Sequence, residues 1–151
     1  MKIVDLLKRE SIEFDLNIST KNEAIDKLVS LMQNSGNLND VQEYKKCVLA
    51  REEQSTTGIG EEIAIPHGKT SAVSSPGLSL LVTPNGVDFD SLDGLPVKVS
   101  FLIAAPDNED NVHLDVLSRL SMLLMNEDFK NKIISAKSKD EVLNIIDLAE
   151  N

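Results

Sequence analysis

Two histidines, one arginine and a glycine-rich loop carry most of the chemical potential of this chain. His67 follows Ile63-Ala64-Ile65-Pro66 and precedes Gly68. That order has a short apolar strand delivering an imidazole to an edge, with a glycine behind it that lets the backbone turn and leaves the ring uncrowded. A neutral imidazole is a competent nucleophile near neutral pH, because its ordinary pKa of about 6.5 leaves much of it unprotonated. A capping or core histidine fits the same spacing. His113 falls in the first turn of a helix after Pro106-Asp107-Asn108-Glu109-Asp110-Asn111. Free amides and the positive dipole end make such a place favourable for an anion, although an exposed histidine without a duty also fits.

Arg51 shares a helical stripe with Tyr44 and Val48 and immediately precedes Thr56-Thr57-Gly58-Ile59-Gly60. Its planar guanidinium is suited to pairing with phosphate oxygens; its stem could equally snorkel to solvent. The loop itself is neither a P-loop nor a Gly-x-Gly-x-x-Gly turn, so any phosphate handled here arrives from elsewhere. No His-x-x-x-His or Cys-x-x-Cys spacing supports a metal site, and neither a metal nor a cofactor is expected. A metal-dependent hydrolase using both histidines is the outlying alternative.

The elements that must position these groups can be read from periodicity. Ile3 to Lys8 suggests a short opening helix and Ser11 to Leu16 a strand. Ser19 or Thr20 can cap the next helix, with Glu23 placed for a capping box with Thr20, ahead of Ala24, Ile25, Leu28, Val29 and Met32, which recur at helical spacing. Asn34-Ser35-Gly36-Asn37 ends that helix, and a second runs from about Asp40 to Glu53. Cys47, the only cysteine, reads as a small core residue of this helix. Leu78 to Val82 is a strand covered on both faces. Pro84-Asn85-Gly86 reads as a turn before a brief edge strand, Val87 to Phe89, and Asp93-Gly94 as another turn. Val97 to Ala105 alternates as a strand. Helices follow over Asp110–Met125 and Asn126–Ala136, and Ser138 with Glu141 caps the last one. The expectation is α/β (α+β): one domain over 1–151, with a mixed, roughly five-stranded sheet flanked by helices on both sides.

Composition narrows the setting. A formal charge of −10 argues against nucleic acid, whose backbone is bound by Lys and Arg. No apolar run approaches the roughly 20 residues that span a bilayer, and the charged start does not resemble a signal peptide. A single cysteine permits no internal disulfide, so a cytoplasmic location is expected.

Thr57-Gly58-Ile59-Gly60-Glu61-Glu62-Ile63-Ala64-Ile65-Pro66-His67 resembles the phosphorylation-site signature of the fructose/mannitol-type enzyme IIA family of the sugar phosphotransferase system. The likeness continues through Phe89 to Gly94, Val97 to Pro106, and His113-Leu114 with Leu117, Leu120 and Leu124. One departure is Glu61-Glu62, where the signature often has an acidic residue and then glycine. The resemblance implies a phosphocarrier that receives a phosphoryl group from the carrier HPr on His67, at Nε2, and passes it to a IIB component for sugar uptake. It also implies that His113 and Arg51 hold the phosphoryl oxygens, with Thr57 and the amides of Gly58 and Gly60 as further contributors. A nitrogen-regulatory IIA module, whose phosphorylation state controls partners, is the alternative. Docking would need a modest apolar patch around His67 with an acidic rim. The chain would be a free-standing IIA or an excised domain; the sugar is not legible, since specificity lies mainly in the membrane component.

Overall fold

A computed structural model describes residues 2–108 and 111–151. The parts of the sequence reading that fall on Glu109 and Asp110, including the acidic helix start, lie outside the described residues.

The sheet is mixed, with order β1-β5-β6-β3-β2, and β4 pairs with β6. Its middle is β5 (Gly77–Val87) antiparallel to β6 (Val97–Ala105). β1 (Leu7–Phe14) runs parallel to β5 on one side. On the other side, β3 (Ile63–Ala64) and β4 (His67–Lys69) lie end to end along β6, both parallel to it. β2 (Gly58–Gly60) closes a hairpin onto β3.

Alternation along the strands sorts side chains into two cores. Leu7, Ile12, Ile63, Ile65, Leu78, Leu80, Val82, Val99, Phe101 and Ile103 face one layer. That layer consists of α1 (Ile3–Leu6), α4 (Val112–Leu124), α5 (Glu127–Ser135) and α6 (Lys139–Glu150). Ala64, Leu81, Leu102 and Ala104 face the opposite layer, α2 (Lys21–Asn34) and α3 (Val41–Gln54). Helices therefore cover both faces, as periodicity predicts, and β6 is almost wholly buried.

Local signals account for most boundaries. Thr20 and Glu23 exchange both capping-box hydrogen bonds at the start of α2. Asp40, Asn126 and Ser138 each accept an amide hydrogen bond at the start of α3, α5 and α6.

Four expectations need correction. The opening helix is a single turn, and its strand begins at Leu7 rather than Ser11. Pro84-Asn85-Gly86 is not a break between two strands: β5 continues through it to Val87. The register there steps from Val82↔Val99 to Val87↔Val97, so the surplus residues bulge out and Gly86 takes φ +86°. The Gly58–Gly60 segment, read as loop, is a strand. Cys47 is only partly buried, its Sγ lying 3.6 Å from the Lys69 carbonyl.

The β2–β3 turn consists of Glu61 and Glu62, at φ 57° and 69°. Positive φ at both central residues is the geometry that suits a two-residue hairpin, normally made by Asn-Gly. Here carboxylates occupy it, and contacts made by Glu62 and by the turn backbone offset the strain. Lys130 of α5, its side chain 3% exposed, donates to the Glu61 carbonyl at 2.9 Å and to Glu127 at 3.1 Å, and lies 3.5 Å from Glu62. Lys98 pairs with Glu62 at 3.0 Å, and the Glu61 amide donates to Asp93 at 2.8 Å. Burial alone would raise the Glu62 carboxyl, but Lys98 and Lys130 together outweigh it and hold it below its ordinary value.

Candidate functional site

His67 opens β4, and the parity of the edge decides where it points. Ile63 and Ile65 face the α4 layer, whereas Ala64 faces α3. Continuing that alternation, Gly68 faces α3, and His67 and Lys69 face α4. The absence of a side chain at Gly68 makes this packing possible. A Cβ there would stand 3.1 Å from Tyr44 Cε1, 3.1 Å from Val48 Cγ2 and 3.4 Å from Cys47 Sγ. Tyr44 fixes the same helix from inside by donating its phenol hydrogen to the Ile103 carbonyl at 2.7 Å. Burial holds that phenol far above its ordinary pKa, so it remains a donor.

The His67 ring is partly exposed. Its Nδ1 lies 3.1 Å from the Ile65 carbonyl oxygen. A carbonyl can only accept, so Nδ1 carries the proton and Nε2 is left as the free lone pair. The backbone two residues back thus selects the tautomer and the reactive nitrogen.

His113 sits two residues into α4, behind Asn111, whose left-handed φ of 57° turns the chain into the helix without a side-chain cap. The Asn111 carbonyl takes the amides of Leu114 and Asp115, leaving those of Val112 and His113 without acceptors inside the helix. The two imidazoles meet at this corner, with centroids 6.1 Å apart and planes inclined by 31°. Burial first, then His67 and Lys69, lower the His113 pKa below its ordinary value. Among the described residues its Nδ1 is buried with no hydrogen-bond partner. An orphaned buried N–H is rarer than an under-satisfied acceptor, which favours the neutral tautomer with its proton on Nε2.

Arg51 belongs to the other layer. At the end of α3 its Nη1 donates to the Ser55 carbonyl at 2.9 Å and contacts Ser55 Oγ at 3.4 Å, so the guanidinium fastens the helix end instead of lying in the core.

The loop residues have structural duties. The Thr57 amide and hydroxyl both donate to Glu52, at 2.8 and 2.5 Å. Glu52 is buried and also receives Lys21 at 3.1 Å. The Gly58 amide donates to Thr56 Oγ1 at 3.0 Å, and Gly60, at φ +90°, enters the hairpin turn. The structure therefore joins His67 and His113, and Thr57 and Gly58 make contacts within the scaffold. Sequence reasoning missed the Ile65 carbonyl, Glu52 and Lys69. The last had a signal in Ile63, Ile65, His67 and Lys69, which share one parity.

Leu114, next to His113, is 49% exposed and Asp115 follows it at the surface. Among the described residues no three His, Cys, Asp or Glu side chains converge as a metal-binding group. No helix among them is long and apolar enough to cross a membrane.

An imidazole pair mounted on the edge of a helix-covered mixed sheet defines a histidine-bearing α/β domain. Residues 5–148 match the model of the family described as "Phosphoenolpyruvate-dependent sugar phosphotransferase system, EIIA 2", and the chain belongs to that family of phosphotransferases. It is similar to the "PTS system fructose-specific EIIABC component" of Bacillus subtilis (strain 168), 44% identical over 146 residues. That match covers 97% of this chain and 23% of the relative, so the chain spans about a quarter of the relative's length. Among solved structures it resembles nitrogen regulatory protein IIA-Ntr from Neisseria meningitidis, at TM-score 0.87 and 28% identity over 95% of this chain and 98% of that one. It also resembles the IIA chain in a complex of the mannitol enzyme IIA with phosphorylated enzyme IIB from Escherichia coli. There the TM-score is 0.81 and the identity 29%, over 94% and 99% of the two chains.

Proposed function

We propose that this chain is a cytoplasmic phosphocarrier that accepts a phosphoryl group from phosphorylated HPr on Nε2 of His67 and passes it to a IIB component serving sugar uptake. The observation that carries this reading is the pairing of Nδ1 of His67 with the Ile65 carbonyl, which leaves Nε2 as a nucleophile beside a second imidazole. Likeness to a fructose-specific component and to a IIA that is solved in complex with IIB supports the sugar class and the acceptor.

The chemistry balances without proton transfer. The donor is a phosphohistidine protonated on its other ring nitrogen. Nε2 of His67 forms a bond to phosphorus in line as the donor N–P bond breaks. The donor ring keeps that electron pair and its N–H, and leaves as neutral imidazole. His67 keeps its Nδ1–H, now part of a cationic ring, against the Ile65 carbonyl. His113 donates through Nε2–H to a phosphoryl oxygen, and the amides of Val112 and His113, without acceptors inside α4, favour the same anion. Arg51, exchanging Ser55 for the phosphoryl group, supplies further charge. Thr57, Gly58 and Gly60 act indirectly, by fixing the hairpin that leads to His67.

Incubation with phosphoenolpyruvate, enzyme I and HPr should place one acid-labile phosphate on the chain, on His67. The His67→Ala variant should take none, while His113→Ala and Arg51→Ala should be labelled more slowly. Normal labelling of His67→Ala refutes the assignment. The likeness to IIA-Ntr favours a second reading, a regulatory module whose phosphorylation state controls partner proteins. Reconstituted transfer to candidate IIB proteins separates the two: only the uptake reading expects turnover there.

A further inference from the structure

His67 and Lys69 lie two residues apart on β4, paired with Ile103 and Ala105 of β6. Gly68 between them faces α3, so both flanking side chains stand on the α4 side. Lys69 is only partly buried. Its ammonium acts on His113, contributing to that ring's lowered pKa after burial and His67. Among the described residues it forms no ion pair with a carboxylate. A positive charge without a carboxylate partner among the described residues thus stands on the strand face that carries His67, whereas Arg51 is tied to Ser55. Edge strands also use lysine to discourage pairing with other chains, and that competing explanation needs no phosphate.

We propose that Lys69 is a catalytic residue of the phosphoryl transfer, its ammonium pairing with the phosphoryl oxygens as the group moves onto Nε2 of His67 and while it stays there. This rests on the phosphocarrier reading above. Charge spread over three equatorial oxygens is what such a transfer must stabilise, and a lysine supplies it as a mobile point charge on a flexible stem.

Lys69→Met retains much of the stem and removes the charge; Lys69→Arg keeps the charge. Each is labelled with two donors, phospho-HPr and the small donor phosphoramidate, which presents no protein surface. Lys69→Met should slow labelling of His67 about ten- to a hundredfold with both donors, and Lys69→Arg should recover most of the rate. In phosphorus NMR titrations of phospho-His67, the second ionisation of the phosphoryl group should move upward in Lys69→Met. Unchanged rates with both donors leave Lys69 as an edge-strand lysine and overturn the proposal. Slowing with phospho-HPr alone makes it a docking contact and overturns it equally. Failure of either donor to label His67 in the parent chain removes the phosphocarrier reading itself. Should Lys69→Met not fold, Lys69→Gln is measured in its place against the same expectations.

Discussion

Replacing each glutamate of the β2–β3 turn separately should move stability in opposite directions. Both occupy left-handed backbone, which costs a non-glycine residue about 1–2 kcal/mol. The Glu61 side chain is exposed, while its amide and carbonyl make the contacts to Asp93 and Lys130. Glu61→Asn keeps those backbone bonds and introduces a residue that tolerates this conformation, so a gain of about 0.5–1 kcal/mol follows. At Glu62 the side chain is engaged. Glycine there removes about 1 kcal/mol of strain and adds about 0.5–1 kcal/mol of unfolded-state freedom. It also deletes the half-screened Lys98 pair, worth roughly 0.5–1 kcal/mol, and one partner of buried Lys130. Breaking a buried pair costs about 3–5 kcal/mol, but Lys130 retains Glu127 and the Glu61 carbonyl, which reduces that to about 1–2 kcal/mol. The net loss is about 1–3 kcal/mol. Urea unfolding followed by circular dichroism reads both variants as shifts of midpoint at unchanged slope. A Glu62→Gly variant as stable as the parent would refute the reasoning, because strain would then outweigh the grip of Lys130 and Lys98.

The remaining expectations concern the site. His113 is held neutral by its surroundings, so the folded state binds fewer protons than the unfolded one below pH 6.5. Its stabilising contribution is complete above that pH and declines as acid is added toward the lowered folded value. Urea midpoints between pH 5 and 8 should show this decline in the parent chain and less of it in His113→Gln; parallel profiles would contradict it. Gly68→Ala should cost about 1–3 kcal/mol by pressing a methyl into Tyr44 and Val48 and should slow labelling of His67. Thermal unfolding and phosphate uptake test the two halves, and an unperturbed variant would show that α3 can yield.

Legibility from sequence tracked how local the causes are. Thr20 with Glu23 and Ser138 with Glu141 mark helix starts because the capping bonds close within three residues. The alternation from Val97 to Ala105 announces a buried strand for a similar reason. The β2–β3 hairpin stayed hidden because Glu61-Glu62 is not turn chemistry; a lysine from residue 130 stabilises it, 69 positions away from Glu61. β4 was obscured by its shortness, and β5 by a bulge whose Pro-Asn-Gly sequence ordinarily marks a turn. At the site, family resemblance pointed to His67 and His113, and the structure brings them together. Nothing in the sequence around Thr57 and Gly58 signalled Glu52, whose part depends on burial between α2, α3 and the loop. Lys69 was readable from parity once β4 was known to exist.

The hydrogen bond from His67 Nδ1 to the Ile65 carbonyl also bears on thermodynamics. Under the proposed reading it survives unbroken on either side of the exchange, while one phosphoramidate linkage is traded for another of the same kind. Such a step has little intrinsic downhill drive. The direction of net flow would then be dictated by the relative abundance of loaded donors and empty acceptors, making the domain a reversible reservoir that equilibrates with its neighbours.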